Sequence, residues 1–207
     1  MPKIGLKNLY LARVLIDDPD VGTIYEVPKR LHGLIQADIK PASSTENFYS
    51  DDMTSETIFQ LGDISIDLEI GDIPSDMQMY MLGAKIDSNG VIHYSNNDVA
   101  PYMAIGYEAA LSKGGSRYEW LFKGKFNLPE SSSKTKGDKV EYQTQKISGV
   151  FIARKSDGEW KTNVDSTDNE IGLRVKEKWF EKVYKRITLD GEYAMDGALL
   201  LSGKVVK

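Results

Sequence analysis

Ile64-Ser65-Ile66-Asp67-Leu68-Glu69-Ile70 alternates apolar and polar side chains without a fault. That two-residue period belongs to a strand with one face on a core and the other on water. Ser65, Asp67 and Glu69 then share the wet face. The run Gly33 to Lys40, closed by Pro41, supplies the strand before it. Ile35, Ala37 and Ile39 are expected to turn inward and Gln36 and Asp38 to join the wet face, since a slip of one residue would exchange the two sets. Between the two strands, Ala42 to Leu61 is polar and aperiodic and reads as a long loop, a kind of segment that usually carries function. Its Phe48, Tyr49, Met53, Ile58 and Phe59, beside Asp51 and Asp52, are unusual for a solvated loop and need a partner to bury them.

Outward from this pair the chain reads as more strands and turns. Leu9 to Ile16 and Tyr25 to Val27 flank the turn formers Asp17-Asp18-Pro19-Asp20-Val21-Gly22 and predict an N-terminal hairpin. Asn89-Gly90 turns into Val91 to Tyr94. Gly114-Gly115 joins Tyr102–Leu111 to Arg117–Phe126, and Asp157-Gly158 links Lys146–Lys155 to Trp160–Val164 as a further hairpin. Pro129 to Lys139 is a Ser- and Lys-rich loop presenting Lys134, Lys136 and Lys139. Helical signals are few. Asp72-Ile73-Pro74 offers a capping acid and a proline start, Met77, Tyr80 and Met81 share a face, and Gly83 is a stop. Ile171, Val175, Trp179 and Val183 recur every four residues and predict an amphipathic helix from about Glu170 to Lys185. The fold class is mainly β (α+β), with residues 1–186 as one domain and 187–207 as a C-terminal arm or hairpin.

The composition suits such a domain. In 207 residues, 41% are hydrophobic and 28% charged, and a chain this long buries about 70% of the surface it exposes unfolded, so packing alone can hold it. Without cysteine there is no thiolate nucleophile, disulfide or Cys-ligated zinc. The net charge of −5 does not suit a polyanion binder of the usual basic kind. Neither an export signal nor an apolar run of membrane-spanning length is expected. The catalytic patterns are at chance level. Ser131-Ser132-Ser133-Lys134 has Ser-x-x-Lys form but no helix to present it, and Asp18-Pro19-Asp20-Val21-Gly22 lacks the bidentate acid of a calcium loop. Asp51 and Asp52 point to opposite sides of an extended chain, and His32 and His93 have no second ligand near them in sequence. Met77, Met79, Met81 and Met103 read as core or interface filler. No enzyme activity, cofactor or metal is expected.

Seven stretches, in order, resemble the major tail proteins of long-tailed bacteriophages, the phi13 family. They are Pro2-Lys3-Ile4-Gly5-Leu6-Lys7-Asn8-Leu9-Tyr10, Tyr49-Ser50-Asp51-Asp52, Asp98-Val99-Ala100-Pro101-Tyr102-Met103-Ala104-Ile105-Gly106-Tyr107, Trp120-Leu121-Phe122-Lys123-Gly124-Lys125-Phe126, Lys134-Thr135-Lys136-Gly137-Asp138, Tyr142-Gln143-Thr144-Gln145-Lys146-Ile147-Ser148-Gly149 and Trp179-Phe180. The resemblance spans residues 1–186. It implies a tail-tube-type β-sandwich or barrel with a flanking helix and long loops, assembled as hexameric rings stacked into a tube. The partners implied are other copies of itself, the tape measure, tail terminator and distal tail proteins, and DNA as passing cargo, in a virion tail put together in the host cytoplasm. In such a tube four strands per subunit close a barrel of 24, which at ~4.8 Å per strand and ~40° tilt has a diameter near ~50 Å, wide enough for a duplex.

On that resemblance the wet face, Gln36, Asp38, Ser65, Asp67 and Glu69, is expected to line the lumen, where like charge lets DNA slide. The loop with Phe48, Tyr49, Asp51, Asp52, Met53, Ile58 and Phe59 is expected to order against the next ring, and Lys134, Lys136 and Lys139 to meet carboxylates of a neighbour. The competing expectation is a baseplate or receptor-binding β-sandwich, with Tyr102, Tyr107, Tyr118 and Trp120 as a carbohydrate platform.

Overall fold

The computed structural model describes residues 1–50, 53–129, 144–167 and 173–186, and for 46–50, 53–59 and 173–174 the backbone alone. Eleven strands and two helices follow one another as β1 (Lys3–Asp18), β2 (Gly22–Tyr25), β3 (Lys29–Leu31), β4 (Leu34–Ser50), β5 (Met53–Ile70), α1 (Ser75–Leu82), β6 (Lys85–Ile86), β7 (Ile92–His93), β8 (Met103–Leu111), β9 (Ser116–Phe126), β10 (Gln145–Phe151), β11 (Lys161–Asp165) and α2 (Leu173–Glu177). Nine strands form one antiparallel sheet in the path β2-β1-β8-β9-β10-β5-β4, with β3 also on β1 and β11 also on β9; β6 and β7 pair apart. The path is open at β2 and β4 among the described residues, so the chain holds a mainly-β sheet that does not close on itself.

β8 and β9 are buried along almost their whole length because both sheet faces are covered. Leu9, Leu11, Ile105, Tyr107 and Leu121 point into the main core with Ile64, Ile66, Leu68 and Ile70 of β5, and Met77, Tyr80, Met81 and Leu82 of α1 close it. Ala12, Ala104, Trp120 and Phe122 face the other way, under Trp179 and Val183. Alternation along β5 therefore comes out as read, with Ile64, Ile66, Leu68 and Ile70 at 0 to 1% exposure.

The largest departure from the sequence reading is the segment Ala42 to Leu61. It is no loop but the outer half of the β4–β5 hairpin, paired from Ser43↔Leu61 out to Ser50↔Met53. Thr, Tyr, Phe and Ile are good strand formers even where their pattern is irregular, and Pro41 is tolerated because it sits where the register shifts, between Pro41 and Ser43, on a strand whose outer edge is open. Ile35 is the second departure. The register slips between Leu34 and Gln36, so Ile35 is an extra residue in a bulge and stands 53% exposed, while Leu34, Ala37 and Ile39 pack on the core.

The hairpin expected at Asp157-Gly158 does not form either. β10 and β11 do not pair with each other; they run in the same direction along the same edge of β9, at Gly124–Phe126 and Arg117–Leu121. The chain leaves that edge after the Ile152 N–H bond to Lys123 O and rejoins it where Phe122 N–H meets Trp160 O. The turn around Gly158 is the tip of this excursion.

α1 starts and stops where expected, but its N-cap is Pro74 with no side-chain cap, not Asp72, and Gly83 ends it in the left-handed conformation at φ 74°. Arg13 binds the carbonyls of that same C-terminal end, its Nε donating to Tyr80 O (3.0 Å) and Nη2 to Met79 O (3.3 Å). The second helix is shorter than the sequence stripe. α2 ends at Glu177, because the Trp179 carbonyl turns away to accept from Trp120 Nε1 (3.0 Å) while Phe180 stacks on Tyr10 at 4.6 Å. Trp179 and Val183 still bury, so the stripe marks what packs rather than what is helical. Residues 170–172 and the arm 187–207 lie outside the described residues.

Two glycines set how closely the layers approach. A Cβ on Gly106 would lie 2.7 Å from the Trp120 ring, and one on Gly124 2.4 Å from the Phe151 ring. Gly106→Ala should therefore cost on the order of 1–3 kcal/mol by overpacking, measured by urea unfolding. A neutral result would show that Trp120 can move aside.

Candidate functional site

Polar side chains that do not serve the core gather on the exposed face of β4, β5 and β10. Register places Gln36 opposite Glu69 and Asp38 opposite Asp67, with Lys146 and Ser148 opposite the same two acids from the other side. Gln36, Asp38, Asp67, Glu69, Asn127, Leu128, Lys146 and Ser148 rim an open groove of about 410 Å³. The five residues expected on one face are on one face.

Its charge is more mixed than the five expected residues alone imply. Lys40 Nζ binds Asp67 Oδ2 at 2.8 Å, and that pairing, ahead of burial, holds the Asp67 carboxyl below its usual range and Lys40 above its own. Gln36 Nε2 donates to Asp38 Oδ2 (2.7 Å) and Thr144 Oγ1 to Glu69 Oε1 (2.6 Å). The face is thus a polar lattice in which Lys40–Asp67 is the ion pair, Asp38 and Glu69 are held by neutral donors, and Lys146 stands opposite Glu69 by register, with three acids to two lysines. Both lysines were legible by the same alternation, Lys40 two residues beyond Asp38 and Lys146 two before Ser148, had it been carried across three strands.

The groove face is carried outward by the hairpin arm. Phe48 and Tyr49 lie on β4 and Met53, Ile58 and Phe59 on β5; Asp51, Asp52, Lys134, Lys136 and Lys139 lie outside the described residues. The aromatic platform of the competing expectation is not assembled. Tyr107 and Trp120 are buried at 1% and 0%, Tyr118 packs against Trp179 and Phe180, and Tyr102 alone is open, with Lys123 and Lys125 over its ring. His93 Nε2 lies 3.2 Å from an Asp87 carboxylate in an exposed turn, and no group of three potential metal ligands occurs among the described residues. No helix among them is long and apolar enough to cross a membrane.

Sequence reasoning missed the buried charges, which are the structure's polar framework. Asp17 Oδ2 meets Lys123 Nζ at 2.5 Å with both side chains nearly inaccessible, and the same carboxylate accepts from the N–H groups of Lys155 (2.9 Å) and Ser156 (3.1 Å). Arg154, 3% exposed, binds Asp157 and Glu159 and lies 3.7 Å over the Phe122 ring. Glu119, wholly buried, is held by Lys3 and Lys161 and by Tyr107 Oη at 3.2 Å. No periodicity announces such pairs: those of Asp17 and Glu119 join distant parts of the chain, and that of Arg154 closes a turn.

Burial pushes the Asp17 carboxyl up, but the hydrogen bonds from Lys123, Lys155 and Ser156 outweigh it and bring it down to about 2. Its folded value lies below the unfolded one near ~3.9, so its stabilisation is complete above that pH and is lost as pH falls towards 2. Asp17→Asn strands a buried ammonium and should cost about 3 kcal/mol at pH 7. Chemical denaturation at several pH values should show the gap between wild type and variant closing as pH falls from about 4 towards 2. A gap that does not depend on pH would mean the carboxylate contributes only its shape.

No family model matches the chain, and no curated protein matches it. Among solved structures, a chain of the anti-feeding prophage baseplate, determined by electron cryo-microscopy with six-fold symmetry, is similar over 81% of this chain and 99% of its own, at 7% identity and a TM-score of 0.41.

Proposed function

We propose that the chain is the repeating subunit of a long-tailed phage tail tube, a structural protein without catalysis. One observation carries this reading. β10 pairs with β5 only over Ile64–Ile70, so from Ser43 to Leu61 the arm pairs with itself alone and both its edges are open among the described residues. Long open edges are templates for further strands, and proteins cover or blunt them unless another chain completes the sheet. The resemblance of residues 1–186 to tail proteins supports the same reading. So does the sheet, open at β2 and β4, which copies would complete by edge-to-edge addition into a common barrel and stacked rings.

In that tube Gln36, Asp38, Ser65, Asp67 and Glu69 line the lumen together with Lys40 and Lys146. With Lys40 taken up by Asp67 and acids outnumbering lysines, the face offers phosphates few free cations, so passing DNA would displace few counterions and would not be held. The arm would order against a neighbouring copy, and Lys134, Lys136 and Lys139 would meet carboxylates of another subunit.

Ser44 and Gln60 face each other across the arm, so residues 45–59 can be replaced by Asn-Gly to make a short hairpin. The shortened chain should melt close to wild type yet form no rings or tubes in negative-stain images. Normal tubes from it would refute the reading, whereas a folded wild-type monomer with ligand and no assembly would favour the receptor-binding alternative. Changing Lys134, Lys136 and Lys139 to Glu should slow tube growth at low salt, where exposed charges reach furthest, with no loss in melting temperature. Light scattering against time reads this, and unchanged growth leaves the segment without an assembly role.

A further inference from the structure

The β1–β2 hairpin leaves Leu15, Ile16, Val21, Ile24 and Val27 exposed at 57%, 42%, 62%, 39% and 75%. Two of these face each other, since Ile16 pairs with Ile24, and Leu15 is pushed out by the bulge between Val14 and Ile16. Together they expose on the order of 400 Å² of apolar side chain, the scale at which a patch marks an interaction site and roughly half of what one partner contributes to a standard interface. β2 is also one end of the sheet path, and its residues Gly22, Thr23, Ile24 and Tyr25 carry no charge to guard that edge.

The charge along β1 says what fits there. From Val14 to Pro28 the chain has four acids, Asp17, Asp18, Asp20 and Glu26, and no base; residues 1–13 have Lys3, Lys7 and Arg13 and no acid. Asp17 is matched internally by Lys123, which leaves Asp18, Asp20 and Glu26 around the apolar tip. At the far end of β1, on the order of 45 Å away at strand rise, Ile4 is 69% exposed and the side chains of Lys3 and Lys7 keep 38% and 56% exposure above their buried carboxylates. The β8–β9 turn beside it, Ser112 to Gly115, is exposed and carries Lys113. One end of the strand is apolar and acidic, and the other presents Lys113 beside two lysines that hold buried carboxylates.

We propose that the β1–β2 tip is a docking surface for a second copy of this chain, received by the basic end of the neighbour's β1 and its β8–β9 turn. The contact joins two different patches, so it does not close on a pair; it repeats head to tail and generates stacks. This rests on the reading of the chain as a self-assembling tube subunit and adds to it a contact along the stacking direction that is separate from the hairpin arm. Apolar burial at the tip holds the contact, and Asp18 and Asp20 against Lys113 set its polarity.

The test uses the full chain in sedimentation velocity and negative-stain microscopy, with melting temperatures as a control on folding. Val21→Asp with Val27→Asp should reduce stacked species at least tenfold while single rings persist. Asp20→Lys and Lys113→Asp should each weaken stacking, and the two combined should restore it. The proposal is overturned if the valine variant stacks like wild type, or if the double reversal is no better than either single one. Tubes persisting in the valine variant sink this contact and leave the tube reading intact. Head-to-tail stacks without any ring, lost in the valine variant, sustain the contact and sink the tube reading.

Discussion

Strand β9 has one edge left once β8 is in place, and β10 and β11 both use it. β10 brings in β5 and with it β4 and the arm; β11 leads to the C-terminal segment that roofs the second core. Sharing works only if the chain between them leaves the sheet plane and returns in line, and an excursion of backbone away from a ladder loses hydrogen bonds that must be replaced. The Asp17 carboxylate replaces them, binding two N–H groups of the excursion and the Lys123 ammonium of β9 itself. One side chain from the end of β1 thereby fixes the place where the sheet divides into its two halves.

That arrangement explains why charge is found so deep in an otherwise apolar body. Lys123, Arg154 and Glu119 are all at or below 5% exposure, and each is matched by at least one opposite charge and a hydrogen bond or aromatic ring. Buried pairs contribute little net stability compared with apolar side chains of the same size, but an unmatched one is costly, so they exclude other registers more than they strengthen this one. The exposed lattice on β4, β5 and β10 is a different matter. Lys40 and Asp67 stand in water, where a pair contributes about 0 to 1 kcal/mol, and what they set is the field over the face.

The sequence was most legible where a single face decides. The Ile64–Ile70 alternation, the α1 stripe and the Gly114-Gly115 hairpin all came out as read, because each pattern reports a local geometry against one core. It misled where the deciding partner was remote. Ala42 to Leu61 has no clean period because the arm lies beyond the main core, so its strands follow from pairing and not from burial. Asp157-Gly158 has good turn chemistry, yet turn chemistry does not say whether the strands on either side pair with each other or with a third. The Trp179 stripe was right about burial and wrong about helix, since beyond Glu177 the backbone turns so that the Trp179 carbonyl faces the Trp120 indole. Of the exposed face, the acids were legible and their lysines were not combined with them. The Lys123–Asp17 pair could not have been found, its members standing 106 positions apart.

The separation of partners along the chain also sets the order of events during synthesis. Strand β1 emerges first, but its carboxylate at Asp17 waits for a backbone group 139 residues later. Contacts that distant close slowly, and a nascent chain carries its unpaired strands until they do. The half-sheet built on β5 needs β10, and β10 needs the same excursion, so an incomplete chain presents neither the divided sheet nor a settled arm. On the reading proposed above, the sheet that carries the surfaces by which copies would recognise one another is settled only after Ser156 has been made.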